Sequence, residues 1–161
     1  MPAPIANLIS EELAARLATI TSGNGHDVTV AEVLRPAALG DYKPRNNLIA
    51  LQWMGKSRVT DEDAPGNPPA ICWEHTWSVA VWVAPVASEN IPIDDLLNVW
   101  TDAVHKAVAG LAEWHTMDGN AFFAELGDAR RFADEVTNFE GIELEISARV
   151  RVSEQAPATA M

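Results

Sequence analysis

Residues 142 to 152 alternate without interruption, with Ile142, Leu144, Ile146, Ala148, Val150 and Val152 set against Glu143, Glu145, Ser147, Arg149 and Arg151. A period of two belongs to a strand with one buried face, and it cannot be laid on a helix without scattering the apolar groups around the cylinder. Residues Ala70 to Ala84 form a longer strand of the same kind. Ile71, Trp73, His75, Trp77, Val79, Val81 and Val83 take one side, and Cys72, Glu74, Thr76, Ser78, Ala80 and Trp82 the other. A chain with two such strands has to build a one-sided sheet and cover its apolar face.

Two segments have the spacing to do so. Ile5, Leu8, Ile9, Leu13, Leu17 and Ile20 recur at three and four residues, and Ser22-Gly23-Asn24-Gly25 stops that helix. The second helix opens at Pro92 with Asp94 and Asp95 in its first turn. Its stripe is Ile93, Leu96, Leu97, Trp100, Val104, Val108 and Leu111, and it runs to about Trp114. Val28 to Arg35, Leu48 to Met54 and Ala121 to Leu126 read as further strands, with Arg130 and Arg131 in a polar turn before the last strand. Gly55 to Pro69, with Pro65, Pro68 and Pro69, reads as a long exposed loop that orders on a partner. The expected fold is α+β, a mixed or antiparallel sheet with helices packed on one face and element order α-β-β-β-α-β-β. One domain spans 1–154, and 155–161 form a flexible tail.

Charge narrows the function. The 161 residues carry a net −12, with 6 basic and 9 acidic groups up to residue 80 and 5 and 14 after it. Duplex binding needs Lys and Arg to displace condensed counterions, so a groove-reading DNA binder is excluded. The first residues have no basic and apolar signal pattern, and there is no Asn-x-Ser/Thr acceptor, so the chain reads as cytosolic at synthesis. The apolar run Val79 to Ala87 is broken by Pro85 and is too short to span a membrane.

Chemical motifs fail on context. Gly55-Lys56-Ser57 resembles the end of a phosphate loop, but it follows a strand and leads into prolines. Asp61, Asp63 and Gly66 match positions 1, 3 and 6 of a calcium loop, yet position 12 is Cys72. His26, His75, His105 and His115 show no zinc-ligand spacing. Asp102 lies three residues before His105 and can pair with it on a helix surface, but no nucleophile elbow accompanies them. His75 reads as a hydrogen-bonded core histidine, and Cys72, without a basic sequence neighbour, as an inert strand residue. Trp82 stands on the opposite face from Trp73 and Trp77, which calls either for a partner or for cover by another part of the chain.

The order of elements resembles that of the tail terminator proteins of tailed bacteriophages. The likeness runs over residues 5 to 152, through Ile5-Ala-Asn-Leu-Ile-Ser-Glu-Glu-Leu, the Asn24-Gly25 turn, Val28 to Pro36, Trp77-Ser-Val-Ala-Val-Trp-Val and Phe139-Glu-Gly-Ile-Glu-Leu-Glu-Ile-Ser-Ala-Arg-Val-Arg-Val. It implies a structural virion protein without enzymatic activity or cofactor, made in the host cytoplasm. Such a subunit forms a hexameric ring on the head-proximal end of the tail tube, ends tube polymerisation and joins the head-tail connector. DNA passes through the ring, and Glu143 and Glu145 are the expected channel-lining carboxylates. Expected partner contacts are Lys56, Arg58, Asp61, Glu62 and Asp63 in the loop, together with Trp82, Arg130 and Arg131. A related neck or tail-completion protein is an alternative. A further one is a small α+β enzyme or ligand-binding domain using His105 with Asp102, or His75 in a Trp-walled pocket.

Overall fold

The computed structural model describes residues 3–66, 69–84, 91–110, 121, 123–153 and 156–160, the last five as backbone. The fold is α+β. Helix α1 (Ile5–Leu17) is followed by strands β1 (Glu32–Leu34), β2 (Leu48–Arg58) and β3 (Ala70–Val83), helix α2 (Ile93–Ala109), and strands β4 (Phe123–Ala133), β5 (Glu140–Ser153) and β6 (Ala156–Ala160). The sheet order is β1-β2-β3-β5-β4, with β6 beside β5. It is mixed, because β1 runs parallel to β2 and every other pair is antiparallel.

Both helices lie on one face. The side chains of Trp77, Val79 and Val81 in β3, their β5 neighbours Ile146, Leu144 and Ile142, and Ile49 and Leu51 in β2 form one buried cluster with Ile9, Leu13, Trp100 and Val104 from the helices. The two helices are also tied to their surroundings by polar groups. Trp77 donates its indole N–H to Ser10 Oγ at 2.8 Å, and the Ser10 hydroxyl in turn donates a hydrogen bond to the Ala6 carbonyl at 2.8 Å. Arg16, buried, donates to the Val108 carbonyl at 2.8 Å in the last turn of α2, where carbonyls lack helical partners and favour a cation.

The opposite face is covered at one end. A parallel pair needs a crossover, and residues 35–47 provide it between β1 and β2. Tyr42 on this crossover accepts the Trp82 indole N–H at 2.9 Å, Asn46 accepts the Ala84 N–H at 2.9 Å, and Phe132 meets Trp82 edge-on at 4.6 Å between ring centres. Trp82, which called either for a partner or for cover by another part of the chain, is thus packed by its own chain.

Several expected boundaries move. Gly55 to Arg58 belong to β2, because the antiparallel ladder with β3 continues through a bulge at Met54 and Gly55. The connection between β2 and β3 thus starts at Val59 and contains a short 3-10 turn, Thr60–Glu62. Arg130 and Arg131 are not in a turn. They lie in β4 opposite Glu143 and Ile142, since a second bulge after Leu126 carries the strand on. The strand expected from Val28 to Arg35 is only three residues long. The last residues, expected to fray, form β6 on the edge of β5 that opens beyond the Phe123–Arg149 pair, where β4 ends. Leu111, Trp114 and His115 lie outside the described residues, as do Asn67 and Pro68 of the loop.

Candidate functional site

The bulge in β2 creates the most distinctive site. Before it, Trp53 faces Trp77; after it, Lys56 faces His75 and Arg58 faces Trp73. One extra residue reverses the alternation, so even-numbered Lys56 joins odd-numbered Trp53 on the helix side of the sheet. Gly55 accepts this turn at φ 127, a region that favours glycine. The result is a cleft of about 310 Å³ at the N-terminal end of α1, walled by Ile5, Trp53, Trp73, His75 and Val152, with Arg35 and Lys56 at its margin. Lys56 Nζ lies 4.3 Å from the centre of the Trp73 ring, a cation–π contact. No carboxylate lines the cleft among the described residues.

His75 is the polar centre of this wall. It is 5% exposed, stacks on Trp77 at 5.9 Å, and accepts the Trp53 indole N–H on Nδ1 at 3.1 Å. Burial first, and then the charge of Lys56, push its pKa down from 6.5 to about 4. The ring is neutral, and with Nδ1 accepting, its proton sits on Nε2. That N–H has no acceptor among the described residues. The expectation of a hydrogen-bonded histidine in the wall of the core holds, and the same residue lines an open cleft.

A pH dependence follows with a definite sign. The folded state disfavours the imidazolium, so the stabilisation is whole above the ordinary pKa of 6.5 and is lost as pH falls towards about 4. In urea titrations the wild-type chain is expected to lose more stability than His75→Gln between pH 7 and pH 4, by about 3 kcal/mol at most. Parallel curves for the two proteins would contradict this.

The second site is the uncovered part of the outer sheet face. Ser78 donates to Glu143 at 2.7 Å, and a shallow cleft of about 220 Å³ is bordered by Thr76, Ser78, Asp128, Arg130, Glu143 and Glu145. Further along the same face Arg149 binds Glu74 at 2.8 Å, and Arg151 reaches Glu62 at 3.3 Å. Carboxylates of Glu62, Glu74, Glu125, Asp128, Glu143 and Glu145 thus outnumber the guanidiniums of Arg130, Arg149 and Arg151. The face is acidic by a margin of several charges.

Compared with known proteins, the chain matches no family model and no curated sequence.

The residues singled out from sequence disperse over these sites. Lys56 belongs to the cleft. Arg58 pairs with Asp63 at 2.9 Å, and Asp63 also accepts the Cys72 N–H at 2.7 Å, which with the Arg58 contact lowers its pKa. Glu62 accepts from Arg151 through both its backbone carbonyl and its carboxylate. Arg58, Glu62 and Asp63 are therefore engaged within the chain, while Asp61 remains exposed on the 3-10 turn. Arg130 and Arg131 point to opposite faces, and Arg131 pairs with Glu140 at 2.8 Å.

Asp102 and His105 do not form a pair: Asp102 is exposed, and His105 Nε2 is buried without a hydrogen-bond partner among the described residues. Cys72 is fully buried, and burial raises its pKa. No group of three metal-ligating side chains converges among the described residues, and no described helix is long and apolar enough to cross a membrane. The cleft itself was foreshadowed only by the tryptophans and His75. Its organising signal was a lone glycine inside a strand pattern, a mark of a bulge.

Proposed function

We propose that the chain is a structural subunit of the phage tail terminator kind, which assembles into a ring, six-membered by that resemblance, on the head-proximal end of a tail tube and ends tube growth. The observation that carries the reading is the one-sided sheet: helices take one face, and the other presents Glu143, Glu145 and Asp128 without cover. An acidic surface of this kind, turned towards the axis of a ring, repels phosphate and lets DNA slide without adhering. Arg130 opposite Glu143 moderates the charge without reversing it. In this role the connector and the tube protein meet the two rims of the ring, and Asp61, at the exposed turn beyond β2, belongs to one of them.

The test is structural and genetic. Purified chain examined by light scattering and negative-stain microscopy is expected to form rings, alone or on the ends of tail tubes. Loss of the gene should leave tubes growing past their normal length. Tails of normal length that fail to join heads would assign the chain instead to a neighbouring neck or tail-completion position. A monomer that neither caps tubes nor alters tail length would overturn the ring reading.

A further inference from the structure

We propose that the aromatic cleft at Trp53, Trp73 and His75 receives the tip of the β4–β5 hairpin from a second copy of this chain, with Val136 as the inserted group and Glu135 facing Arg35 and Lys56. The inference rests on the ring reading and names the contact that would build the ring.

The hairpin tip is an ordered projection. Asp134 accepts the Val136 N–H at 3.0 Å and the Thr137 hydroxyl at 2.8 Å, and its backbone N–H and carbonyl bond to Phe139 and Asn138 at 2.9 Å each. Asn138 completes the turn at φ 58. These contacts hold Val136 outward with 91% of its surface exposed. One exposed valine is unremarkable by itself. Here it is held by a closed turn beside a carboxylate, Glu135, that has no ion-pair or hydrogen-bond partner among the described residues.

The cleft carries the complementary set. Trp53, 46% exposed, and Trp73 provide apolar walls, Arg35 and Lys56 provide positive charge without a bound carboxylate, and His75 carries an N–H lacking an acceptor. Its volume of about 310 Å³ accommodates a valine side chain and the neighbouring carboxylate. Tryptophan in the wall of a contact is among the residue types that carry most binding energy.

Geometry requires that the contact be made between copies. The tip follows Ala133 and precedes Glu140, whereas His75 pairs with Ala148, eight residues further along β5. At about 3.3 Å per residue the two sites are separated by roughly 25 Å along a continuous strand, so one chain cannot join its own tip to its own cleft. A tip on one end of a subunit and a receptor on the other make a head-to-tail contact, the kind that generates rings when its rotation closes.

Charge reversal tests the pairing. Glu135→Lys and Lys56→Glu are each expected to raise the concentration at which rings form by about tenfold or more, with the far-ultraviolet circular dichroism of the folded chain retained, and the double reversal should recover much of the loss. As a second measurement, the full chain carrying both Lys56→Cys and Val136→Cys should give covalent multimers on oxidation. Rings that form normally in both single reversals, or a cysteine variant that stays a single covalent monomer, would overturn this contact and leave the ring reading intact. A wild-type chain that is monomeric at every concentration and on tube ends would overturn both.

Discussion

Trp77→Ala is expected to cost about 3–5 kcal/mol of unfolding free energy, the range for removing a large buried aromatic side chain. Trp77 has no exposed surface, lies opposite Trp53 on one side and Ile146 on the other, and packs beneath α1. The substitution empties the centre of the cluster where sheet and helix meet. It also removes the hydrogen bond to Ser10, a polar tie between β3 and α1, although Ser10 keeps its bond to Ala6. Trp77→Phe fills most of the space and loses mainly the N–H, so its cost is expected near 1–2 kcal/mol. Urea unfolding followed by circular dichroism measures both. A cost below about 1 kcal/mol for the alanine variant would mean that helix and sheet are not held together at this point.

The same residue illustrates what was legible from sequence. Trp77 sits on the apolar side of an alternating strand, and alternation in β3 and β5 is strict enough to set their faces and the one-sided sheet. The helices were legible for the related reason that their stripes repeat at three and four residues. What alternation does not reveal is where it changes phase. Gly55 shifts β2 by one residue and moves Lys56 to the side of His75; the bulge after Leu126 does the same for Arg130 and Arg131. Each segment reads locally as polar turn material, and only the neighbouring strand, distant in sequence, extends the ladder through it. The loop at Asp61 to Asp63 is opaque for a similar reason: nothing near it in sequence shows that Asp63 meets the Cys72 N–H or that Arg149 and Arg151 of β5 reach Glu62, while Asp61 stays exposed. The acidic outer face was partly visible in Glu143 and Glu145, while Asp128 and Arg130 joined it through the β4 ladder.

Gly141→Ala is expected to destabilise the fold by about 2–3 kcal/mol, a large effect for one methyl group. Gly141 in β5 lies between Trp82 of β3 and Phe132 of β4. A methyl group there would stand 2.4 Å from the Val81 carbonyl oxygen and 2.3 Å from Phe132 Cζ. Phe132 can rotate away, but the carbonyl belongs to the strand ladder and moves only if β3 and β5 separate locally. The absence of a side chain is what lets Phe132 lie across β5 and reach Trp82, whose other edge is held by Tyr42. The alanine variant should therefore loosen the aromatic cluster that covers this end of the outer face, with a red shift in tryptophan emission accompanying the lower unfolding midpoint. Gly23→Ala makes the comparison, since an added methyl there meets nothing nearer than Thr21 Oγ1 at 3.9 Å. Equal midpoints for the two variants would show that β3 and β5 yield at Gly141 without cost, and that the cluster around Trp82 is not what closes this end of the sheet.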